Sequence, residues 1–176
     1  MLELFLKGGI LLYPIFFCSI VGVSLLINKY FTYRGLLRQL KKPVNEIIED
    51  KPSIIAPILL GIEQGLSEEH ITIIGTKQVM KVEKGLSWLE LIATITPLMG
   101  LTGTVTGMIK AFQVIATSTH VNPAMLASGI WEALITTAAG LLVAIPIHVG
   151  HHYLEKKADT IAFTLKEITL TLWTSP

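Results

Sequence analysis

The sequence predicts an all-α membrane protein: three transmembrane helices with long helical extensions on one side of the bilayer. Three observations carry this. First, 51% of the 176 residues are hydrophobic and 15% are charged, against about a quarter charged in an ordinary soluble domain; the mean hydropathy is +0.62. Second, the charges are segregated, so that long apolar stretches alternate with two polar regions. Third, no alternating strand pattern and no internal repeat interrupts the apolar runs.

The first span is predicted at residues 10–27, with no charge in it and Pro14 near its start. A proline there forfeits little, because the first turn has unpaired N–H groups anyway. The second lies within residues 89–115, bounded by Glu90 and Lys110. At 1.5 Å per residue such a helix outreaches a hydrocarbon core of about 30 Å. The third is predicted at residues 129–150, with Glu132 one turn inside its start and Pro146 near its end. Trp88 and Trp131 suit the interfacial aromatic belt.

Lysine and arginine orient the spans. Residues 28–88 carry Lys29, Arg34, Arg38, Lys41, Lys42, Lys51, Lys77, Lys81 and Lys84, and the tail 151–176 carries Lys156, Lys157 and Lys166. Residues 1–9 have only Lys7, and residues 116–128 have none. The N-terminus and the 116–128 loop are therefore expected outside the cytoplasm, and the 28–88 region and the C-terminal helix inside it. Within 28–88, residues 41–45 read as a turn and residues 54–66 as a short amphipathic helix. Ser67 reads as an N-cap before Glu68 and Glu69, and one helix is expected from there into the second span. The first span is expected to continue past Tyr30 to about Leu40. A signal peptide or lipid anchor is not expected: no small-residue cleavage site closes the first run, and Cys18 follows Phe17.

Small and polar residues inside the spans are the functional candidates. Gly100, Gly103, Gly107 and Ala111 recur at spacings of three and four, and Gly140 follows in the third span. Such stripes let helices approach closely. The glycine-rich GLTGTVTG is no phosphate loop, for it lacks the G-K-[ST] ending and lies at membrane depth. Thr104 shares a face with the second-span glycines, and Thr137 with Ala133, Gly140 and Ala144; Thr136 adjoins it. These hydroxyls could line a narrow wet passage, or simply bond back to their own helices. Glu132 is the single acid inside a span, which makes it a functional candidate, with Lys110 as its natural ion-pair partner.

Other chemistry is excluded or weak. No nucleophile–base pair, metalloprotease motif or cofactor fingerprint occurs, so no catalytic residue and no cofactor is assigned. No basic run suggests nucleic acid. His148, His151 and His152 have helical spacing, but no second ligand cluster completes a metal set, and no metal site is assigned.

Two stretches carry a resemblance. Ile92-Ala93 through TPLMGLTGTVTGMIKAF resembles the second-span motif of the MotA/TolQ/ExbB proton-channel family. GIWEALITTAAGLLVAIP resembles its third-span motif. Three spans match the ExbB/TolQ branch. The resemblance implies a homopentamer in the bacterial inner membrane, with N-termini periplasmic and C-termini cytoplasmic. It implies two copies of an ExbD- or TolR-like single-span subunit in the central pore, a TonB- or TolA-like protein beyond it, and membrane lipid around it. By position it implies that Thr104 and Thr137 face the pore near an aspartate of the partner helix, that Glu132 is the third-span glutamate, and that Pro97 and Pro146 are the family's two prolines. Departures are the TITP run at Thr94, Trp131 before the glutamate, and the pair His151-His152. The short N-terminus suggests the lack of an extra periplasmic segment that some ExbB proteins have.

The residues point the same way independently. A proton path through hydrocarbon needs a titrating group near mid-depth, and the spans offer threonines there but no acid. The missing carboxylate must come from another helix. The function expected is thus a proton-channel and motor subunit, of the Ton type (ExbB-like) or the Tol type (TolQ-like). A non-conducting scaffold is the rival from another class.

Overall fold

The computed structural model describes residues 9–118 and 123–174. The expectations for residues 1–8, with Lys7, and for residues 119–122 of the connection lie outside the described residues. Among the described residues the chain is entirely helical: α1 (Leu12–Leu40), α2 (Val44–Asp50), α3 (Ala56–Glu63), α4 (Glu68–Glu83), α5 (Leu86–Thr117) and α6 (Pro123–Thr174). Three stretches, within Leu12–Leu40, Glu68–Thr117 and Ala127–Trp173, are long and apolar enough to cross a membrane. The protein is a multi-pass membrane protein.

The chain forms two compact units. One comprises Met1–Leu26 and Trp88–His151, the other Ile27–Ser87 and His152–Pro176. The first contains the apolar runs of α1, α5 and α6. Helix is dictated there, because hydrocarbon offers no partner for an unpaired peptide group. Pro97 and Pro146 stand inside α5 and α6, each removing one backbone bond, a loss that membrane helices tolerate.

Packing in this unit inverts the soluble pattern. Along the middle of the α5–α6 contact the buried positions are Ala93, Thr96, Gly100, Gly103, Gly107 and Ala111 of α5 and Ala133, Thr136, Gly140 and Ala144 of α6, with the larger Leu89, Ile92 and Ile147 buried toward one end. Large apolar side chains point outward instead: Leu98, Leu101, Val105 and Ile109 on α5, Leu134, Leu142, Ile145 and Val149 on α6, Phe16 and Phe17 on α1. In hydrocarbon a leucine gains nothing by leaving lipid, so small residues that let backbones meet take the interface. The first helix joins through glycines too. A Cβ on Gly22 would lie 2.3 Å from Ile147 Cδ1, and one on Gly150 would lie 2.6 Å from Leu26 Cδ2.

The second unit follows the ordinary amphipathic rule. On α6, Leu154, Ala158, Ile161, Leu165, Ile168 and Leu172 recur every three or four residues and are buried. On α4, Ile71, Gln78 and Val82 are buried, as are Ile54, Ile55, Ile58 and Leu59 around α3. Ser67 occupies the N-cap of α4 with Glu68 and Glu69 in its first turn. Its hydroxyl meets His70 Nδ1 at 2.7 Å rather than a backbone N–H.

Three features differ from the expectations. A helix, α2, begins at Val44 where residues 41–45 read as a turn alone. Lys42 Nζ donates to Asp50 at 2.5 Å across it, and that hydrogen bond and charge raise the lysine's pKa. Next, α6 begins at Pro123, a residue favoured at a helix start, and runs unbroken to Thr174. The predicted third span and the predicted tail helix are one helix. Last, the helix after Ser67 does not run into α5. It stops at Glu83, and Gly85 adopts φ +98°. The frayed end is capped from α1: Lys29 Nζ donates to the Val82 carbonyl at 2.9 Å and the Tyr33 hydroxyl at 2.7 Å. Two donors on a terminal carbonyl make the stop favourable.

Replacing Gly85 with alanine is expected to lower stability by about 1–2 kcal/mol, the cost of a Cβ at positive φ. A thermal melt of the detergent-purified protein checks this; an unchanged midpoint would remove the conformational reason for the break.

Candidate functional site

The candidate site is built on the α5–α6 contact. A Cβ on Gly100 would lie 3.0 Å from the Thr136 carbonyl oxygen, and one on Gly140 would lie 2.6 Å from that of Thr96. One on Gly107 would stand 2.9 Å from the Gly129 oxygen, and one on Gly103 2.3 Å from Thr136 Oγ1. Backbone therefore meets backbone at Gly100, Gly107 and Gly140, over about three turns, and only glycine permits it.

This closeness sets what each threonine does. Thr137 donates its hydroxyl across the interface to the Gly100 carbonyl at 2.9 Å. Thr104 donates to Leu101 at 2.6 Å within its own helix, and its side chain stays partly exposed. Thr96, Thr102 and Thr106 also bond back to carbonyls of α5. Thr136 is buried, and its hydroxyl donates to the carbonyls of Glu132 and Ala133. Each hydroxyl keeps its donor occupied and leaves a lone pair free, so it can still accept a proton from a donor group.

A second grouping sits at the Lys110–Glu132 end. Lys110 Nζ lies 2.8 Å from Glu132 Oε1. Both border a cavity of about 250 Å³ walled by Ile10, Leu11, Thr102, Gly103, Thr106, Lys110, Glu132 and Thr136. Thr104 and Thr137 are not among its walls. The four threonine and glutamate candidates thus fall into two groups: Thr104 and Thr137 apart from the cavity, Glu132 and Thr136 on it.

One contributor was missed in the sequence. Gly9 has φ +70°, and a Cβ there would stand 2.2 Å from Glu132 Oε1. The chain entering α1 passes directly over the carboxylate. The Gly8-Gly9 pair before an apolar run was the available signal, but nothing local ties it to a residue 123 positions later. Among the histidines, His148 is exposed and His151 buried. His152 Nδ1 lies 3.5 Å from Glu155. Among the described residues, no three His, Cys, Asp or Glu side chains come together as a metal set.

Chemically, the α5–α6 pair offers hydroxyls and a polarised carbonyl but no titrating acid between Glu90 and Lys110. It can pass or orient a proton. It cannot supply the group that binds one in hydrocarbon.

Residues 32–167 match a family model described as the MotA/TolQ/ExbB proton channel family. The biopolymer transport protein exbB1 of Vibrio cholerae is 34% identical over 86% of this chain and 77% of its own length. The Tol-Pal system protein TolQ of Haemophilus influenzae is 34% identical over 48% of this chain and 37% of its own length. The biopolymer transport protein ExbB of Salmonella typhimurium is 38% identical over 48% of this chain and 35% of its own length. The chain spans little more than a third of those two relatives.

Two outcomes test the site's construction. Gly140→Ala should destabilise the purified protein by about 1–3 kcal/mol, since the Thr96 carbonyl it strikes is backbone. Gly75→Ala, where a Cβ meets nothing within 4 Å, should be neutral or stabilising by up to about 1 kcal/mol. Lys110→Met should cost about 1 kcal/mol by stranding Glu132, and the double variant Lys110→Met, Glu132→Gln should recover most of it. Equal melting of all three proteins would argue that the pair contributes nothing.

Proposed function

This chain belongs to the MotA/TolQ/ExbB proton channel family, and we propose that it is the channel-forming motor subunit of an energy-transducing complex in the bacterial inner membrane. The observation that carries the proposal is the α5–α6 pair: close-packed, hydroxyl-bearing and without an acid at mid-depth. In this reading it assembles as a homopentamer, through the apolar faces of α1, α5 and α6 that the single chain leaves exposed. Two copies of an ExbD- or TolR-like helix occupy the central pore and bring the missing carboxylate. Thr104 and Thr137 flank that acid, and protons pass between it and their hydroxyl oxygens. Glu132, Thr136 and Lys110 form the polar mouth at the periplasmic end.

Work follows from charge. An ionised carboxylate in hydrocarbon is strongly disfavoured. It therefore prefers the threonine side while charged and is released to turn once protonated. Repetition around the ring converts proton flow into rotation of helix against pentamer, and a TonB- or TolA-like protein carries the work to the envelope. The basic residues of 28–88 and 151–176 support a cytoplasmic side for both regions.

The energised process is proposed to be TonB-dependent outer-membrane transport, supported by a relative that spans most of the chain, a biopolymer transport protein. The TolQ likeness, over half the chain, supports the second reading, a Tol-Pal subunit. Co-purification decides between them: an ExbD-like partner favours the first, a TolR-like partner the second.

The channel reading predicts a specific loss. Co-reconstituted with its single-span partner in liposomes, Thr104→Val, Thr137→Val should assemble into the wild-type five-chain complex yet lose about tenfold or more of its proton flux, because a carbon replaces the accepting oxygen. Thr137→Ser, which keeps the hydroxyl, should restore flux when combined with wild-type Thr104. Full flux through the double valine variant would reduce the threonines to packing residues.

A further inference from the structure

A cavity of about 240 Å³ lies within the unit of Ile27–Ser87 and His152–Pro176. Its walls bring Arg34 and Arg38 of α1 and Lys41 just after its end together with Lys157 of α6, beside Tyr30 and Tyr153. Arg34, Arg38 and Lys41 follow at spacings of four and three, and the Lys41 N–H still bonds the Leu37 carbonyl, so the three share one face. Among the described residues, no carboxylate pairs with any of these four within 4 Å, although Lys42, Lys51 and Lys110 all have such partners. Lys157 Nζ stands 5.4 Å over the Tyr153 ring, and the rings of Tyr30 and Tyr153 are 6.5 Å apart. Four like charges around one small cavity repel each other. An anion removes that cost.

The depth of the cavity says which anion. Tyr30 and Arg34 stand three and seven residues after Ile27, which ends the uncharged run 10–27. Along a helix those steps are roughly 5 and 10 Å, and Arg38 and Lys41 follow at roughly 17 and 21 Å. The headgroup layer occupies roughly 5–8 Å beyond the hydrocarbon on each side, and an arginine side chain reaches back into it. Tyrosine belongs at that boundary. Basic pockets between helices at this level suit phosphate headgroups, and guanidinium forks bind phosphate oxygens in pairs.

We propose that this cavity is a binding site for the headgroup of an anionic phospholipid, held by Arg34, Arg38 and Lys157, with Lys41 farther from the bilayer adding to the positive field. The lipid phosphate lies among the cations, and the tyrosine rings mark the level where the acyl chains begin. The site needs only that residues 10–27 cross a bilayer; it stands or falls separately from the proton-motor reading.

Lipid binding to the full-length protein in detergent, followed by native mass spectrometry, tests it. Phosphatidylglycerol should bind about tenfold or more tighter than zwitterionic phosphatidylcholine, and raised salt should weaken it. Each cation near an anionic headgroup contributes about fivefold. Arg34→Gln, Arg38→Gln should therefore weaken phosphatidylglycerol on the order of 25-fold, and Lys157→Gln alone about fivefold. Lys77→Gln, an exposed cation of the same unit outside the cavity, should change nothing. Inorganic phosphate in excess should not displace the lipid. Equal binding of the two lipids would overturn the proposal. So would full retention of phosphatidylglycerol by both cavity variants while their melting stays wild-type, or displacement by inorganic phosphate, which would make the site a free-phosphate site. Should the double variant melt early, Lys157→Gln decides alone: no loss in it overturns the site.

Discussion

The meeting of α5 and α6 backbones at Gly100, Gly107 and Gly140 is the contact on which the rest of the membrane unit depends. Hydrocarbon offers no hydrophobic incentive for two helices to associate. Their attraction must come from close van der Waals contact and the few polar bonds that closeness permits. A Cβ at Gly140 would already overlap the Thr96 carbonyl. The cross-helix bond from Thr137 to the Gly100 carbonyl exists only because nothing separates the two chains there. Remove the approach and the hydroxyl has no partner across the interface.

That same constraint distributes the large residues. Leu98, Leu101 and Ile109 on α5, with Leu142 and Ile145 on α6, are turned outward, where lipid or neighbouring chains cover them. A soluble protein with such a surface would aggregate. Here the hydrocarbon tolerates it, and the α5–α6 contact is left to glycine, alanine and threonine. The threonines satisfy their donors on backbone carbonyls, which lowers their desolvation cost without using up their oxygens. The interface thus satisfies its polar groups without an acid.

Outside the bilayer a different balance holds. Water competes for every polar group, so burial of Ile71, Ile161 and Leu165 drives packing and helix ends need explicit partners. Val82 finds two, Lys29 and Tyr33. Charges not spent on such bonds remain available, and Arg34, Arg38, Lys41 and Lys157 gather around one cavity for that reason.

The sequence by itself determined the helical class, the three spans and the small-residue stripes. Each is a local property: an uncharged run must be helical in lipid, and glycines three and four apart must share a face. It also placed Glu132 opposite Lys110, since two lone charges at matching ends of neighbouring spans have few other partners. It did not reveal the stop at Gly85, because the donors that make it favourable, Lys29 and Tyr33, lie some fifty residues away. Nor did it separate Thr136 from Thr137. Adjacent on the chain, they differ by 100° around the helix, so one is buried against Gly103 while the other bonds the Gly100 carbonyl. Only the tertiary structure decided which side of α6 meets α5, and that brought Gly9 over Glu132. Spacing fixes which residues share a face; it does not fix what that face will touch.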